Sequence, residues 1–377
     1  DGLTKEQSDN CLLMLHTQPV DSNGTDLVQV IENICPDYDV QFTHSTFSTD
    51  DLNILYNMCD VNLNIASNEG FRLASCESVN AGTPIIVNVT GGLQDQCGFR
   101  LNDKHITYQD SIIPNFRSLA KNGDNLFALS IANPTLLYKI SKNKTALVYT
   151  ENHKKAFYDA LQFFDDGKHG IAVGDPTEEC ASIILTSDGG NSWRKISCAN
   201  LPKFAEGEAF FAASNTNIKT MGSTVWVASG GTKARVLKSE DYGVTWDIFE
   251  TPIIQGNGPQ GIYSIDFTDE KNGIVIGGDY SKPEENKGNK AITKDGGKTW
   301  TLVANNQNPN YKSCVQYVPN TNGKEVFAVG KTGISFSNDS GNTWTEVSKE
   351  SYYTIKFVDK DTAWLSGSQK IGKLILK

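Results

Sequence analysis

Four aspartates occur at the same place in a repeated phrase, where a carboxylate could serve either catalysis or a local turn. The phrase runs Ser or Thr, any residue, Asp, any residue, Gly, two residues and Trp, and we call it the Asp box. Its four copies contain Asp188 and Trp193, Asp241 and Trp246, Asp295 and Trp300, and Asp339 and Trp344. The Asp can accept backbone N–H groups, the Gly can take a positive φ, and the Trp can pack onto the strands that the turn joins. We therefore predict a structural role for the boxes.

The boxes also indicate a repeat architecture, because their Trp residues recur every 44 to 54 residues. Residues 111–377 divide into six units, each with a short apolar strand, a second strand that ends in small residues, and a third that leads into the box. Four strands per unit, repeated radially, is the arrangement of a β-propeller. The first unit has lost its box and the last ends before one. We therefore expect about six blades in an incomplete propeller.

Polar side chains occupy corresponding positions at the start of the first strands. These positions carry Arg117, Asp159, Glu208, Tyr263, Ser313 and Tyr353. The turns after the second strands add Asn133, Asp175, Thr232, Asp279 and Lys331. Charged residues avoid a core unless they are paired, so we predict that this set surrounds one mouth of the central channel and binds a protein partner. The alternative is a water-filled channel closed by salt bridges between blades.

Repeated Asp boxes suggest one class of enzyme, the sialidases. Such an enzyme converges three arginines on a carboxylate, because a planar guanidinium pairs with it bidentately. Residues 111–377 contain only Arg117, Arg194 and Arg235, and Arg194 directly follows a box Trp. The sequence therefore disfavours this glycoside hydrolase alternative.

Residues 1–110 have a different pattern, in which short apolar strands alternate with helical stretches. This alternation predicts an α/β domain with a parallel sheet. Glu69 and Glu77 are separated by seven residues, and a glycine-rich turn at Gly91 and Gly92 follows. In the plainer interpretation, both glutamates are solvated residues that flank a buried helix.

This region resembles the C-terminal, Rossmann-like half of the retaining family-four GT-B glycosyltransferases. The resemblance rests on the glutamate spacing and the phrases around it, and it implies a nucleotide-sugar site made of Glu69, Gly70, Phe71, Glu77, Gly91 and Gly92. Glu77 would bind the nucleotide ribose, and Glu69 would lie near the sugar and diphosphate of a nucleotide-diphospho-sugar. A GT-B enzyme needs a second Rossmann-like domain, so we expect only part of a glycosyltransferase.

The two patterns meet without a flexible linker. The α/β pattern stops near Asp110, and a propeller strand begins by Phe116. We therefore divide the chain into residues 1–110 and 111–377, and expect either two joined fragments or a natural fusion.

The second part resembles the BNR/Asp-box propellers that are similar to photosystem II assembly and stability factors, in the Bacteroidetes branch often labelled as oxidoreductases. Besides the boxes, the phrases at 174–176, 207–209 and 277–280 carry this resemblance. It implies the fold more strongly than an activity, because no GxGxxG after a strand and no CxxC accompanies it. We predict no cofactor beyond the nucleotide sugar and no metal.

Composition and cysteines restrict the partners and the compartment. The net charge of −10 argues against a nucleic-acid partner, and no apolar run reaches the ~20 residues of a membrane span. Cys180 and Cys198 lie symmetrically about Gly189, so antiparallel pairing would bring them within disulfide range. A disulfide there would indicate a periplasmic or exported propeller, whereas the glycosyltransferase-like part is typically cytoplasmic. The alternative is two reduced cysteines.

Together these observations predict a mainly β chain. An Asp-box propeller would bind or help assemble another protein without catalysis, and a partial α/β domain would precede it. The alternative function is glycosyl transfer from a nucleotide-diphospho-sugar.

Overall fold

The computed structural model describes residues 11–17, 19–20, 26–34, 36, 39–43, 46–64, 77–78, 81, 83, 85–87, 106, 108–109 and 112–376. The chain forms two compact units, Asp1–His105 and Ile106–Lys377. The division lies between His105 and Ile106. Each unit is described by itself.

Among its described residues, the first unit contains the helices and the pairs of parallel strands named below. Its elements are β1 (Leu12–His16), α1 (Leu27–Ile34), β2 (Asp39–Thr43), α2 (Thr49–Met58), β3 (Asn62–Asn64) and β4 (Ile85–Val87). β1 pairs with β2 and β3 pairs with β4, both in parallel. A capping box starts α2, since the Ser48 hydroxyl accepts from the Asp51 N–H while the Asp51 carboxylate accepts from the Ser48 N–H. Parallel strands with intervening helices agree with the predicted α/β pattern.

The second unit is a six-bladed β-propeller of antiparallel sheets. Blade 1 contains β5 (Phe116–Asn122), β6 (Asn125–Ser130), β7 (Thr135–Ile140) and β8 (Thr145–Glu151), and blade 2 contains β9 (Tyr158–Phe163), β10 (Gly170–Gly174), β11 (Ser182–Thr186) and β12 (Arg194–Lys195). After β13 (Glu208–Ala209), blade 3 contains β14 (Ile218–Met221), β15 (Thr224–Ala228), β17 (Arg235–Ser239) and β18 (Asp247–Glu250), with β16 (Gly230–Gly231) between β15 and β17.

The remaining strands form blades 4 to 6. Blade 4 contains β19 (Gln260–Phe267), β20 (Gly273–Asp279), β21 (Lys290–Thr293) and β22 (Thr301–Leu302), and its sheet continues through β16 to β13. Blade 5 contains β23 (Cys314–Tyr317), β24 (Val326–Gly330), β25 (Gly333–Ser337) and β26 (Thr345–Ser348). Blade 6 contains β27 (Thr354–Phe357), β28 (Thr362–Gly367) and β29 (Lys370–Ile375).

The expectation of an incomplete propeller is wrong for blades 1 to 5, each of which has four strands. Blade 1 forms its outer hairpin without an Asp box. There the Ser141 N–H and the Ser141 hydroxyl both donate to the Lys144 carbonyl, at 2.8 and 2.9 Å. Backbone pairing and a tight turn therefore replace the box. Blade 6 has three strands among the described residues.

The inner strand of blade 3 differs from the prediction. The sequence placed it at 207–210, because that phrase resembles the first strands of the other units. In the structure β13 is only two residues long and pairs with β16, whereas β14 pairs with β15 as the inner strand of the blade. Glu208 is therefore not equivalent by repeat to Asp159 or Tyr263. The intervening residues 210–217 form an insertion.

Five clusters of buried apolar residues hold the propeller together, and each lies between two successive blades. For example, Phe127 and Leu129 of blade 1 pack with Leu161 and Ile184 of blade 2. The other clusters join blades 2 and 3, 3 and 4, 4 and 5, and 5 and 6. Strands buried on both faces explain the continuous apolar runs in the sequence.

The Asp boxes have the predicted turn structure. The Asp241 carboxylate accepts the N–H groups of Val244 and Thr245 and the hydroxyls of Ser239 and Thr245, at 2.6 to 3.0 Å. Asp188, Asp295 and Asp339 make corresponding bonds. Each box Trp belongs to the apolar cluster shared with the preceding blade. The boxes thus fix both the hairpin and the contact between blades.

Candidate functional site at the mouth of the channel

A cavity of about 1480 Å³ occupies the centre of the propeller, and residues from all six blades line it. Its charged lining residues are mostly cationic: Arg117, Lys121, Lys219, Lys331 and Lys356, against Asp175 and Asp266. The Lys219 ammonium lies 2.6 Å from the Asp266 carboxylate, so one pair is neutralised. The channel is therefore basic, although the chain as a whole is acidic.

Six of the predicted mouth residues line this cavity, namely Arg117, Asp175, Tyr263, Ser313, Lys331 and Tyr353. Asp159, Glu208 and Asp279 are buried and do not line it. Glu208 contributes instead to a smaller cavity of about 560 Å³, which Asp175 also lines.

Asp159 is fully buried, and neither of its carboxylate oxygens has a hydrogen-bond partner. Burial, and then the nearby Asp175 carboxylate, raise the pKa of Asp159 well above its ordinary value, while Arg117 acts in the opposite direction. Asp175 accepts the Phe210 N–H at 2.7 Å. Burial nevertheless raises the pKa of Asp175 to about 6. The two carboxyl groups therefore carry less negative charge near neutrality than their number implies.

Glu208 has a structural partner. The Arg235 side chain donates to both Glu208 carboxylate oxygens through Nε and Nη2, and the Ser229 hydroxyl donates at 2.7 Å. The buried bidentate pair ties β13 to β17, and the Ser229 hydroxyl ties it to the residue after β15. It corresponds to the alternative reading of the polar ring, in which ion pairs close the structure, and not to a free binding group.

The insertion at 210–217 crosses the channel. The Arg117 guanidinium donates to the Ala212 carbonyl at 3.1 Å, and the Asn215 amide donates to the Leu119 carbonyl at 3.0 Å. On the opposite side, the Ser214 hydroxyl donates to the Ser313 carbonyl at 2.7 Å. The insertion thus bridges blades 1 and 5 and forms a wall of the cavity. The sequence contains a sign of this insertion. The interval between the start of the first strand and the start of the second strand is longer in this unit than in the other five.

An aromatic cluster lies beside the insertion. The rings of Phe211 and Tyr263 stack at 4.0 Å, and those of Tyr311 and Tyr280 pack edge-on against Tyr263 at 4.9 and 6.4 Å. The Lys331 ammonium lies 5.9 Å from the Tyr280 ring centre and 5.8 Å from that of Tyr311. The repeat register predicts only Tyr263 and Lys331 of this cluster, because the other rings come from positions outside that register.

The cluster is accessible at one side. Tyr280 is 49% exposed, and Tyr353, on the next part of the cavity wall, is 46% exposed. Tyr263 itself is buried, and its hydroxyl donates to the Pro259 carbonyl at 2.9 Å. Aromatic surface next to cationic groups is typical of sites that bind protein segments.

Asp279, Ser313 and Thr232 have local structural roles. Asp279 accepts the Ser281 N–H and hydroxyl, and these bonds outweigh burial and lower the pKa of Asp279. The Ser313 hydroxyl donates to the Tyr353 carbonyl at 2.7 Å, which joins blades 5 and 6. The Thr232 hydroxyl donates to the Glu206 carbonyl. The hydrogen bonds of these three residues hold the strands and turns around the mouth in place.

In the first unit only Glu77 of the predicted nucleotide-sugar residues is described. The Tyr56 hydroxyl donates to its carboxylate at 3.3 Å, so Glu77 lies against α2. Glu69, Gly70, Phe71, Gly91 and Gly92 lie outside the described residues. The glycosyltransferase resemblance consequently receives no support from the structure.

Cys180 and Cys198 form a disulfide with Cα atoms 5.5 Å apart. Cys11, Cys59 and Cys314 are free among the described residues. In the same part of the chain, no three His, Cys, Asp or Glu side chains converge as a metal site would require. None of the described helices combines the length and the hydropathy needed to cross a bilayer.

Comparisons with known proteins support the fold. No family model and no curated protein matches the chain. The solved structure of YCF48 bound to a D1 peptide matches 72% of this chain and 81% of its own, with 15% identity and a TM-score of 0.52. YCF48 from Cyanidioschyzon merolae matches 69% and 95%, with 12% identity and a TM-score of 0.38, and the WD40 repeats of RRP9 match 69% and 79%, with 11% identity and a TM-score of 0.49. At these identities the likeness extends to the β-propeller fold alone.

Proposed function

We propose that the propeller is a non-catalytic module that binds a segment of another protein at the mouth of its channel. The observation that carries the proposal is the exposed aromatic surface of Tyr280 and Tyr353 beside the cationic lining of a large cavity. Aromatic rings supply contact area at small entropic cost, and arginine supplies directional hydrogen bonds. The fold of YCF48, which has been solved with a bound peptide, makes peptide binding by such a propeller a reasonable expectation.

The charge of the cavity suggests what the segment carries. Three lining lysines, Lys121, Lys331 and Lys356, have no carboxylate within ion-pair distance among the described residues. The protonated fraction of Asp159 and Asp175 further reduces negative charge near the mouth. A segment with carboxylate groups next to apolar or aromatic side chains would therefore complement the site.

Site-specific photo-crosslinking tests the location. A photoreactive residue at Tyr353 should capture the partner, whereas the same residue at Val244, which is equally exposed but lies on an Asp-box hairpin, should not. Once the partner is identified, Arg117→Ala should weaken its binding by roughly tenfold or more, as expected for an interface hot spot. Arg194→Ala, which removes an exposed arginine on β12, is the matched control. Equal capture from both positions, or equal affinity of both variants, would refute the proposal.

A second candidate function, nucleotide-sugar binding by the first unit, comes from the sequence resemblance alone, and Glu77, whose carboxylate accepts the Tyr56 hydroxyl, is the residue of that site at which it can be tested. Titration with nucleotide-diphospho-sugars tests it by calorimetry. Binding that is lost in Glu77→Ala would support it, and the absence of heat with any donor would leave only the protein-binding function.

The disulfide supports an exported or periplasmic propeller, since such bonds persist in oxidising compartments. Of the eight cysteines, at least two should be unreactive toward a thiol reagent in the denatured, unreduced protein. Eight reactive thiols would contradict this location.

A further inference from the structure

The insertion at 210–217 is attached to the propeller by hydrogen bonds more than by packing. Residues 211–216 are all half-buried, and apart from Phe211, which stacks on Tyr263, they carry small or polar side chains. None of these six residues belongs to the apolar clusters that the described residues form between the blades. A segment with few buried apolar contacts opens locally at a small cost in free energy. The insertion can therefore detach while the blades remain folded.

Asp159 occupies a β-bulge close to the insertion. The bulge of β9 is at Asp159, and the corresponding bulges of β5 and β19 are at Arg117 and Tyr263. Arg117 and Tyr263 line the cavity, as expected for side chains that a bulge turns toward the mouth. Asp159 has the equivalent position but is only 1% exposed. Another part of the molecule therefore covers Asp159 on the side of the mouth.

The hydrogen bonds around Asp159 identify the insertion as this cover. Arg117 and Asp175 are the groups whose charges act on the Asp159 carboxylate. The Arg117 guanidinium donates to the Ala212 carbonyl at 3.1 Å, and Asp175 accepts the Phe210 N–H at 2.7 Å. Both charged neighbours are thus bonded to the insertion. Arg117 is held there and not on Asp159, neither of whose carboxylate oxygens has a hydrogen-bond partner.

A proton on Asp159 favours this attached arrangement. Burial, and then the Asp175 carboxylate, raise the pKa of Asp159 well above its ordinary value of about 4, against the effect of Arg117. When the insertion detaches, water reaches the carboxylate and Arg117 is free to pair with it, so the pKa falls. The attached state therefore binds more protons, and each unit of rising pH between the two pKa values favours detachment by up to about tenfold. Asp175, with a pKa of about 6, adds to this dependence only below that pH.

We propose that the insertion at 210–217 is a proton-controlled strap across the mouth of the channel. The strap is attached while Asp159 is protonated. When Asp159 loses its proton to solvent, its carboxylate takes the Arg117 guanidinium from the Ala212 carbonyl, and the strap detaches.

The strap controls the binding of the partner segment, a step that rests on the function proposed above. In the attached state the strap forms a wall of the cavity, and Phe211 stacks on Tyr263 in the aromatic cluster. Detachment removes this wall and occupies Arg117 with Asp159. The mouth should therefore bind an acidic segment more tightly at pH 6 than at pH 8. The movement of the strap itself does not require a partner.

Hydrogen exchange of the Leu161 amide tests the strap, measured by NMR on the full chain without a partner. The Leu161 N–H donates to the Asn215 side-chain oxygen at 2.9 Å, so attachment of the strap protects it. Its protection factor, which is corrected for the intrinsic pH dependence of exchange, should fall roughly tenfold or more between pH 6 and pH 8. The factor should stay constant in Asp159→Asn, because the amide does not ionise. The amides of β24 should show no change in either protein.

Further measurements separate proton control from general loosening. Asp247→Asn, the same substitution at an exposed position of β18, should retain the wild-type fall. Ser214→Ala removes the bond between the strap and Ser313, so it should lower Leu161 protection roughly fivefold at every pH and leave the pH dependence in place. In the wild-type protein, the carboxyl carbon chemical shift of Asp159 should titrate over the same range as the protection of Leu161.

Photo-crosslinking from position 353 tests whether the strap controls the mouth. Capture of the partner should decline from pH 6 to pH 8, and with Asp159→Asn it should be equal at the two values. Equal capture at both values without that substitution would overturn the control of binding. If no partner is captured at either pH while Leu161 protection follows Asp159, the proposed binding function would fall and the strap would stand.

Two results would refute the strap itself. In the first, Leu161 protection is independent of pH, or falls equally in wild type and Asp159→Asn. In the second, the Asp159 carboxyl titrates near its ordinary pKa of about 4, which would mean that the carboxylate is solvated while the strap is attached.

Discussion

At the scale of single residues, the mouth of the channel depends on how burial changes the charge of its carboxyl groups. Asp175 lines both cavities, and its single described hydrogen bond, from the Phe210 N–H, does not compensate for its desolvation. Asp159 has no partner for either oxygen. Buried carboxyl groups with few hydrogen bonds reduce the stability of the fold when they are ionised. Groups of this kind are found more often at functional sites than elsewhere. The boxes represent the opposite case, because the hydrogen bonds around Asp188 and Asp295 outweigh desolvation and lower the pKa of each to about 2.

Asp175→Asn should change the pH dependence of stability. The pKa of Asp175 is about 6 in the folded protein and near 4 in an unfolded chain. Between these values the folded state binds more protons, so the free energy of unfolding falls as the pH rises from about 4 to about 6, by up to about 3 kcal/mol. The Asn variant lacks this decline and should gain stability relative to wild type over the same window.

Urea denaturation at pH 4.5 and pH 7 measures this difference. Asp124→Asn, at an exposed position in the turn between β5 and β6, is the control and should show the same difference from wild type at both values. A constant difference for Asp175→Asn as well would show that Asp175 is not desolvated.

At the scale of elements, the glycines of the Asp boxes meet two requirements: a positive φ in the turn and close contact with the neighbouring blade. Gly190 has φ +83°, and a Cβ there would lie 2.4 Å from the Phe127 ring of blade 1. Gly341 likewise approaches Ile274 of the preceding blade. The box turn therefore places its backbone directly on the neighbouring blade, in addition to forming the hairpin.

Comparison of two glycine substitutions separates these requirements. Gly222 has φ +57°, and nothing lies within 4 Å of a Cβ built there. Gly222→Ala should cost about 1 kcal/mol from backbone strain alone. Gly190→Ala should cost roughly 3 kcal/mol or more, because Phe127 must also move. Chemical denaturation measures both, and equal losses would argue against a close contact between blades at the box.

The elements also show how far the sequence could predict the structure. The box turns were predictable, because Asp241, Gly243 and Trp246 determine them within a few residues. The inner strand of blade 3 was not, because 207–210 and β14 have similar local patterns and only pairing with β15 or β16 distinguishes them. For the same reason Glu208 was placed in the ring, although its partner, Arg235, is distant in sequence.

At the scale of the whole molecule, two regions have a local charge opposite in sign to the net charge of the chain. A chain of net charge −10 has a basic channel and a basic blade 6. Composition alone argued against nucleic acid but could not reveal where cations gather, since that depends on which strands line the channel. The proposed site at the mouth of the channel uses this local excess of cations for a partner of opposite charge.

The placement of the apolar clusters predicts how the molecule unfolds. Every blade contributes to the cluster on at least one side, and blades 2 to 5 contribute to two, so the loss of one blade exposes its neighbours. The propeller should therefore unfold in one transition. Leu129→Ala between blades 1 and 2 and Leu365→Ala between blades 5 and 6 remove fully or nearly fully buried side chains. Each should lower the stability of that same transition by about 2–5 kcal/mol.

Differential scanning calorimetry of the full chain distinguishes this behaviour from independent blades. Leu12→Ala, at an exposed position of β1 in the first unit, is the control and should leave the propeller transition in place. If Leu129→Ala and Leu365→Ala instead shifted two different transitions, the blades at the two ends of the propeller would unfold separately. The loss of packing at one cluster would then destabilise only the two blades that share it. Blades further away would stay folded, because each apolar cluster joins only two successive blades.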